Sequence, residues 1–415
     1  MRLSSLSSIF THALPLCQSV HAYNNIASSP LSVQSPNKGS GRILESASGI
    51  STALFADLER LSRLVDISYC IGNTGIRKPF ECLSRCKEFP ELSLETTWST
   101  GFLMGDSCGY IALDHGNESV DKRNGHEDSR GTIIVAFRGT YSIANTIADL
   151  STVPQKYVPY PAPDDGDDDD HEDSLEKQDG RKCDNCTVHM GFLQSWQLAR
   201  KVVVPELRAI KKNYPSYQIQ LVGHSLGGAV ACLAALELKL SLGWHDLVVT
   251  TFGEPRVGNY QLARYVDKAF TLDGTSNLEH RKYRRVTHND DPVPLLPLEE
   301  WGYRPHSGEV YIAKRELQPS EEDVRTCVGD QDLECSTGAE TSLLEDVRRL
   351  LHFTSLSAST EEFIGTETLP TRLKLWELLF AHRDYFWRVG LCVPGGDPAN
   401  WGRGWSERTE LGDEL

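Results

Sequence analysis

QIQLVGHSLGGA, residues Gln218–Ala229, is the stretch that decides the fold of this chain. An apolar run typical of a strand leads into a short turn around Ser225, and residues 229–240 favour a helix. Strand, sharp turn and helix in this order are typical of a nucleophile elbow, which exposes the serine hydroxyl above a sheet. Gly223 and Gly227 are expected where the strand and helix backbones pass too closely for side chains.

A serine hydroxyl is a poor nucleophile unless a histidine takes its proton and an acid orients that histidine. In folds with this elbow, the acid follows the serine along the chain and the histidine follows the acid. Residues 283–288 are typical of a buried strand, and Asp290 and Asp291 come directly after it. The carboxyl end of a sheet strand is where α/β folds place their chemistry, so both acids are candidates for the orienting role.

Three histidines follow these acids. His306 lies in a loop close behind them, His352 lies in a predicted helix, and His382 lies near the end of the chain. The histidine that accepts the proton of Ser225 must lie near it in the folded structure, not along the chain. Sequence spacing alone therefore does not decide among the three histidines.

Six motifs in a single order make the chain resemble the class 3 fungal lipases, the secreted triacylglycerol lipases of filamentous fungi. The motifs are VAFRGT (135–140), VHMGF (188–192), GHSLGGA (223–229), FGEPRVGN (252–259), DPVP (291–294) and HxxYF (382–386). The resemblance runs from about Leu58 to Pro394. It implies an α/β-hydrolase fold with a mostly parallel central sheet flanked by helices, a lid segment and a helical insertion.

The resemblance also implies the roles of individual residues. Ser225 is expected as the nucleophile, Asp291 as the catalytic acid and His382 as the catalytic base. His306 matches a family position that is not catalytic. His189 and His224 match positions that are regarded as structural.

An oxyanion hole requires preorganised donors next to the serine. One is the backbone N–H of Leu226, the residue after the nucleophile. The resemblance implies that the second is Thr140, through its N–H and its hydroxyl.

The segment after Thr140 is expected to control access of the substrate. Ile143, Ile147 and Leu150 recur at helical spacing and form one apolar face, which by periodicity alone fits a surface helix. The resemblance implies instead a lid over about residues 141–160 that opens at a lipid surface. Thr146 and Arg383 stand where the family often has Trp and an apolar residue, and both are expected to make the rim of the pocket more polar.

Eleven cysteines indicate an oxidising compartment. The CxxC pair Cys183 and Cys186 could bind zinc, but this is disfavoured. No second CxxC pair and no nearby paired histidine completes a tetrahedral set of zinc ligands. Cys108 and Cys232 lie in apolar patterns and are expected as buried thiols. The resemblance implies four disulfides: Cys70–Cys392, Cys82–Cys86, Cys183–Cys186 and Cys327–Cys335.

The 415 residues suffice for one large α/β domain with insertions. Residues 1–22 predict a secretory signal peptide, residues 23–50 a flexible linker or pro-region, residues 51–398 the lipase domain, and residues 399–415 a tail. Within the domain we expect an acidic loop at 164–179 and an insertion at about 318–378. Asn117 and Asn185 are glycosylation acceptors if the chain is exported.

Net charge is −16, and the absence of basic stripes argues against nucleic-acid binding. No apolar stretch is long enough to span a membrane. We expect a monomer without cofactor or metal that cleaves lipid esters, first of all triacylglycerol, at an oil–water or membrane surface. The alternatives are a feruloyl esterase or phospholipase A1 of the same fold, and a non-catalytic lipid-binding relative. We expect secretion, with retention in the secretory pathway as the alternative, because Gly412–Leu415 resembles a retention signal.

Overall fold

An eight-stranded sheet forms the centre of the computed structural model, which describes residues 49–101, 107–116, 131–140, 154–156, 183–274, 278–338 and 380–401. The described residues contain four α-helices: α1 (Thr52–Ile67), α2 (Met190–Asn213), α3 (Leu226–Leu236) and α4 (Tyr260–Phe270). The strands before the elbow are β1 (Ile76–Arg77), β2 (Glu81–Cys82), β3 (Leu92–Ser99), β4 (Cys108–Asp114), β5 (Thr132–Phe137), β6 (Pro154–Lys156) and β7 (Thr187–His189). The strands from the elbow onward are β8 (Gln218–His224), β9 (Leu247–Phe252), β10 (Gly258–Asn259), β11 (Tyr283–His288), β12 (Tyr303–Arg304), β13 (Glu309–Ile312), β14 (Val324–Thr326), β15 (Asp384–Tyr385) and β16 (Trp387–Arg388).

The central sheet runs in the order β14-β13-β11-β9-β8-β5-β4-β3. Its five inner strands from β13 to β5 are parallel to one another, whereas β14, β4 and β3 pair antiparallel. Helical crossovers connect most of the parallel strands, as such connections require. The predicted mostly parallel sheet is therefore confirmed, and the elbow strand β8 lies in its middle.

Apolar side chains cover both faces of the sheet. On one face, α1 buries Leu58, Leu61 and Leu64 in a cluster that includes Val222 of β8. On the other face, α2, α3 and α4 contribute to a second cluster around the same strands. Burying one leucine side chain contributes about 2 kcal/mol, so these two layers fix β8 and its elbow firmly.

Four disulfides pair the cysteines as the resemblance implied: Cys70–Cys392, Cys82–Cys86, Cys183–Cys186 and Cys327–Cys335. Cys108 and Cys232 form no disulfide in the described structure and are buried, which confirms their prediction as buried thiols.

Several predicted segments lie outside the described residues. They are the signal peptide, the linker up to residue 48, the acidic loop, residues 339–378 of the insertion, the tail from residue 402, Asn117, and the lid residues Ile143, Thr146, Ile147 and Leu150. The described piece of the predicted lid segment is β6, which pairs antiparallel with β7. Within the described part of the chain, no helix has both the length and the apolar character that crossing a bilayer requires. The predicted domain boundaries stay predictions.

Candidate active site

The elbow forms where β8 passes directly into α3. Ser225 stands between them with φ 57° and ψ −128°, a strained conformation for a residue with a side chain. A Cβ at Gly223 would lie 2.2 Å from the carbonyl oxygen of Gly227, and one at Gly227 would lie 2.3 Å from that of Phe137. The strand, the helix and the end of β5 therefore touch backbone to backbone, as the sequence predicts for these two glycines.

The carboxylate of Asp291 lies three residues after β11 and is completely buried. His382 Nδ1 lies 3.0 Å from both Asp291 carboxylate oxygens, and the imidazole is as deeply buried as the acid. The backbone N–H of Val293 donates to Asp291 Oδ1 at 2.9 Å, and the Tyr385 hydroxyl donates to Oδ2. Burial alone would raise the pKa of Asp291, but His382, Tyr385 and the Val293 amide together hold it below its ordinary value. Asp291 therefore stays a carboxylate facing the imidazole.

Two buried polar atoms at the elbow have no hydrogen-bond partner among the described residues: Ser225 Oγ and His382 Nε2. The His382 ring lies 4.7 Å from the ring of His224, the residue before Ser225. Gly253, with φ 59°, leaves space for the imidazole, because a Cβ there would come within 2.8 Å of His382 Cε1. The hydroxyl and the free imidazole nitrogen thus lie at the same end of β8.

His224 supports this arrangement from below the nucleophile. Its Nε2 lies 2.8 Å from the carbonyl oxygen of His382, so this nitrogen carries the proton, and Nδ1 accepts from the Tyr69 hydroxyl at 2.6 Å. Burial, reinforced by His382, lowers the pKa of His224 to about 3. His224 is therefore neutral at working pH and ties the backbone of His382 to the elbow.

The loop after β5 packs against the elbow through Gly139, the residue directly before Thr140. A Cβ at Gly139 would lie 2.5 Å from the Tyr69 hydroxyl oxygen and 2.9 Å from Ser225 Cβ, so the loop passes in contact with the serine. Arg138 fixes this loop by donating from Nη1 to the carbonyl oxygen of Ile71 at 2.5 Å. Leu226 is the first residue of α3, so its N–H has no acceptor within the helix.

The other candidates from the sequence lie elsewhere. Asp290 adopts φ 65° and pairs with Arg315, with Arg315 Nε 2.6 Å from Oδ2, so it serves the turn and not the histidine. His306 bonds Glu254 through Nε2 at 3.1 Å, in a separate buried cluster. His352 lies outside the described residues.

Arg383 is the second residue that was expected to make the rim of the pocket more polar, and this expectation stays a prediction. Its Nη2 donates to Asp397 at 2.7 Å and its Nε donates to the Val389 carbonyl oxygen at 2.7 Å. The guanidinium is therefore held within the C-terminal segment. Among the predicted glycosylation acceptors, Asn185 is exposed and lies in the turn before β7, and its modification stays a prediction.

Among the described residues, two buried groups bring together side chains of metal-ligating types, but in the group of Glu309, Cys327 and Cys335 the two cysteines are joined in a disulfide. The other group is not blocked in this way. Ligand atoms of Cys232, Glu254 and His306 lie within 4.8 Å of one another. The Glu254 oxygens already accept hydrogen bonds from His306, Thr251 and Tyr283, so the cluster holds itself together through its own donors.

Sequence reasoning missed Tyr69 and noted Tyr385 only as part of a motif. Tyr69 gave no signal, because its contact with His224 joins residues 155 positions apart. Tyr385 could have been found from its position three residues after His382 in the HxxYF motif. That spacing alone does not reveal that its hydroxyl bonds Asp291.

Known proteins resemble this chain in both sequence and fold. Residues 134–301 match the family model described as lipase (class 3). The chain is 58% identical to a secreted mono- and diacylglycerol lipase 2 of Gibberella zeae, over 97% of this chain and 96% of that protein. It is 58% identical to lipase A of Sodiomyces alcalophilus, over 85% of this chain and 86% of that one. Among solved structures, the Lip2 lipase of Yarrowia lipolytica superposes with a TM-score of 0.62 at 30% identity, over 83% of this chain and 97% of that one. The predicted α/β-hydrolase fold of the fungal lipases is confirmed.

Proposed function

The chain belongs to the class 3 lipase family and is a carboxylic ester hydrolase, and we propose that it cleaves acylglycerol esters through an acyl-enzyme on Ser225. The observation that carries the proposal is the buried pair of His382 and Asp291 beside the elbow, with His382 Nε2 unpartnered among the described residues. A neutral imidazole that is oriented through Nδ1 has its other nitrogen available as a base.

Acylation begins when Ser225 Oγ attacks the carbonyl carbon of the ester. His382 Nε2 takes the hydroxyl proton, and Asp291 stabilises the imidazolium that forms. The carbonyl oxygen becomes an oxyanion that accepts hydrogen bonds from the Leu226 N–H and from Thr140. One such donor typically lowers the barrier by about 3 kcal/mol. The intermediate collapses when His382 returns its proton to the leaving alcohol, which leaves the acyl group on Ser225.

Deacylation repeats these steps with water. His382 removes a proton from a water molecule as the oxygen attacks the acyl carbonyl carbon, and the same donors hold the second oxyanion. The bond to Ser225 Oγ then breaks, the serine regains its proton from His382, and the fatty acid leaves.

The substrate class is proposed from the relatives. Triacylglycerol is the expectation from the sequence, whereas relatives from Gibberella zeae and Penicillium cyclopium are named mono- and diacylglycerol lipases. The 58% identity with the first of these favours partial acylglycerols as the preferred substrates of this chain. The names of these relatives and the four disulfides also support secretion into an oxidising compartment, and the names do not support retention within the secretory pathway.

Ser225→Ala tests the nucleophile. We expect the variant to fold and to lose ester hydrolysis by on the order of a millionfold, because the elbow hydroxyl is the attacking group. Fatty acid release from emulsified monoolein, diolein and triolein, measured by titration at constant pH, gives the rate and the substrate order. A variant that keeps substantial turnover would show that another group attacks the ester.

The same assay separates the alternatives. Methyl ferulate and phosphatidylcholine vesicles replace the acylglycerols in parallel measurements. Faster turnover of either than of all three acylglycerols would contradict the proposed substrate class and would leave the nucleophile in place.

A further inference from the structure

His382 directly precedes a short hairpin that also carries Tyr385. The hairpin consists of β15 and β16, joined by Phe386 with φ 56°. His382 and Tyr385 both bond Asp291, so the position of this hairpin sets two of the contacts that hold the acid and the base together.

Arg383 closes the base of the hairpin twice. Its carbonyl oxygen accepts from the Val389 N–H at 2.8 Å, and its side-chain Nε donates back to the Val389 carbonyl oxygen at 2.7 Å. The remaining arm of the guanidinium, Nη2, reaches Asp397 at 2.7 Å, and both side chains are largely buried, at 17% and 8% exposure. One side chain thus links the hairpin that follows His382 to a second turn.

That second turn, residues 397–400, is itself rigidly built. Asp397 Oδ1 accepts from the Ala399 N–H at 2.9 Å while Oδ2 binds Arg383. The side chain of Asn400 bonds both the N–H and the carbonyl oxygen of Arg388, each at 3.0 Å. The turn therefore bonds the hairpin at two places: at its base, through Arg383, and on β16, through Arg388.

The exit of the hairpin is anchored to α1. The Gly390 N–H donates to Asp66 Oδ1 at 2.8 Å, and Cys392 is bonded to Cys70 just beyond the end of that helix. Since α1 packs against β8, the anchor shares its support with the strand that carries the elbow.

We propose that Arg383 and Asp397 are positioning residues that hold the imidazole of His382 at Ser225 through this hairpin. In this role they act through the hairpin and not by contact with the reacting atoms. The bond between Arg383 and Asp397 is charge-assisted and mostly shielded from water, so it is directional and strong. It therefore holds the hairpin in one position more firmly than a neutral contact would. A displacement of about 1 Å of a catalytic group can cost on the order of a hundredfold in rate, so fixing the hairpin matters to catalysis.

The inference rests on the proposed function and is tested on a soluble short-chain ester, which avoids the interface. Arg383→Met and Asp397→Asn are each expected to lower kcat on the order of tenfold and to leave KM nearly unchanged, because the displaced group acts in the reaction and not in binding. The double variant is expected to be no slower than the slower single variant, since both changes remove one shared bond. Arg383→Lys keeps a charge for Asp397 and is expected to recover part of kcat.

Arg200→Met is the matched control. Its guanidinium Nε bonds the buried Glu237 at 2.6 Å and it is 24% exposed, but it lies on α2. We expect its kcat to stay near that of the parent. All variants are assayed well below their own thermal unfolding midpoints, so that loss of folded protein does not enter kcat.

Unchanged kcat in Arg383→Met, or losses that multiply in the double variant, would overturn the positioning role. Failure of the proposed function looks different: Ser225→Ala would retain turnover, and a fluorophosphonate probe would not label Ser225 in the parent. Labelling of Ser225 combined with normal kcat in both Arg383 and Asp397 variants would refute this inference alone.

Discussion

Asp290 and Asp291 are chemically identical neighbours that the structure places in opposite environments. Asp290 takes the positive φ that turns the chain after β11 and pairs with the exposed Arg315. That turn points the Asp291 carboxylate inward, where His382 and Tyr385 bond it. Periodicity and spacing could not distinguish the two acids, because the choice depends on one backbone dihedral. The resemblance to the family pointed to Asp291, because the DPVP motif matches the whole turn from this residue onward and not a single acid.

Tyr385→Phe tests what the third partner of Asp291 contributes. A hydrogen bond to a buried carboxylate typically contributes about 1.5–3 kcal/mol, and this one helps to keep the pKa of Asp291 low. We expect kcat to fall on the order of tenfold or more, because the freed carboxylate orients His382 less firmly. The measurement is kcat on a soluble ester at fixed pH.

Tyr110→Phe is the control for that change. Tyr110 is equally buried, but its hydroxyl donates to the Leu64 carbonyl oxygen at 2.8 Å. We expect a loss of about 1 kcal/mol in the free energy of unfolding with kcat unchanged. Equal kcat in Tyr385→Phe and the parent would show that His382 and the Val293 amide suffice to hold the acid.

At the level of elements, the elbow was predictable and its surroundings were not. Gly223 is required by the contact of β8 with α3, which is local in sequence and leaves a readable pattern, whereas Gly227 is required by the contact of α3 with β5, much earlier in the chain. The approach of Gly139 to Ser225 and of Tyr69 to His224 joins distant segments, so no local pattern encodes it. The hairpin of β15 and β16 is likewise set by contacts with α1 that lie over 300 residues away in sequence.

Gly227→Ala tests the contact of the elbow with β5. The added Cβ would lie 2.3 Å from the Phe137 carbonyl oxygen, which is backbone and cannot rotate away. Strand β5 and helix α3 must separate, which costs about 1–3 kcal/mol of stability. Because the same shift separates Thr140 from Leu226, we expect kcat to fall more than thermal stability suggests. Kinetics on a soluble ester and a thermal melt measure the two effects.

Gly191→Ala is the control for a glycine without backbone contact. A Cβ there meets only the His189 side chain, at 3.3 Å, within the first turn of α2. We expect activity and stability close to those of the parent. If Gly227→Ala behaved in the same way, the close packing at the elbow would not matter to catalysis.

For the whole molecule, the parallel half of the sheet was predictable from the sequence. The five inner strands are almost wholly buried, and motifs mark where several of them end. Strands β5, β8 and β9 are mainly apolar, whereas β11 and β13 also carry buried charged residues. The antiparallel strands β3 and β14 at the edges were not identified. Strand β3 alternates between buried and partly exposed residues and its register shifts between Leu94 and Thr96, which interrupts the pattern that a strand prediction needs. Edge strands are specified by their neighbours more than by their own residues.

The junction of α1 with the C-terminal segment contains a carboxyl group that makes the stability of the whole molecule depend on pH. Burial raises the pKa of Asp66 from 3.8 to about 6, although Arg85, the Gly390 amide and Arg383 oppose the rise and Asp397 adds to it. The folded state thus favours the neutral form of Asp66. The contribution of this group to the free energy of unfolding is therefore complete below about pH 4 and is lost as the pH rises through 6. A shift of this size corresponds to a loss on the order of 3 kcal/mol.

Asp66→Asn tests this pH dependence, because it keeps the acceptor for Gly390 and removes the charge. We expect its free energy of unfolding, from denaturant titrations between pH 4 and pH 8, to decline less with rising pH than that of the parent. Asp57→Asn, on the same helix but 42% exposed, is the control and should follow the parent. Parallel curves for Asp66→Asn and the parent would mean that Arg85 fully compensates the buried charge.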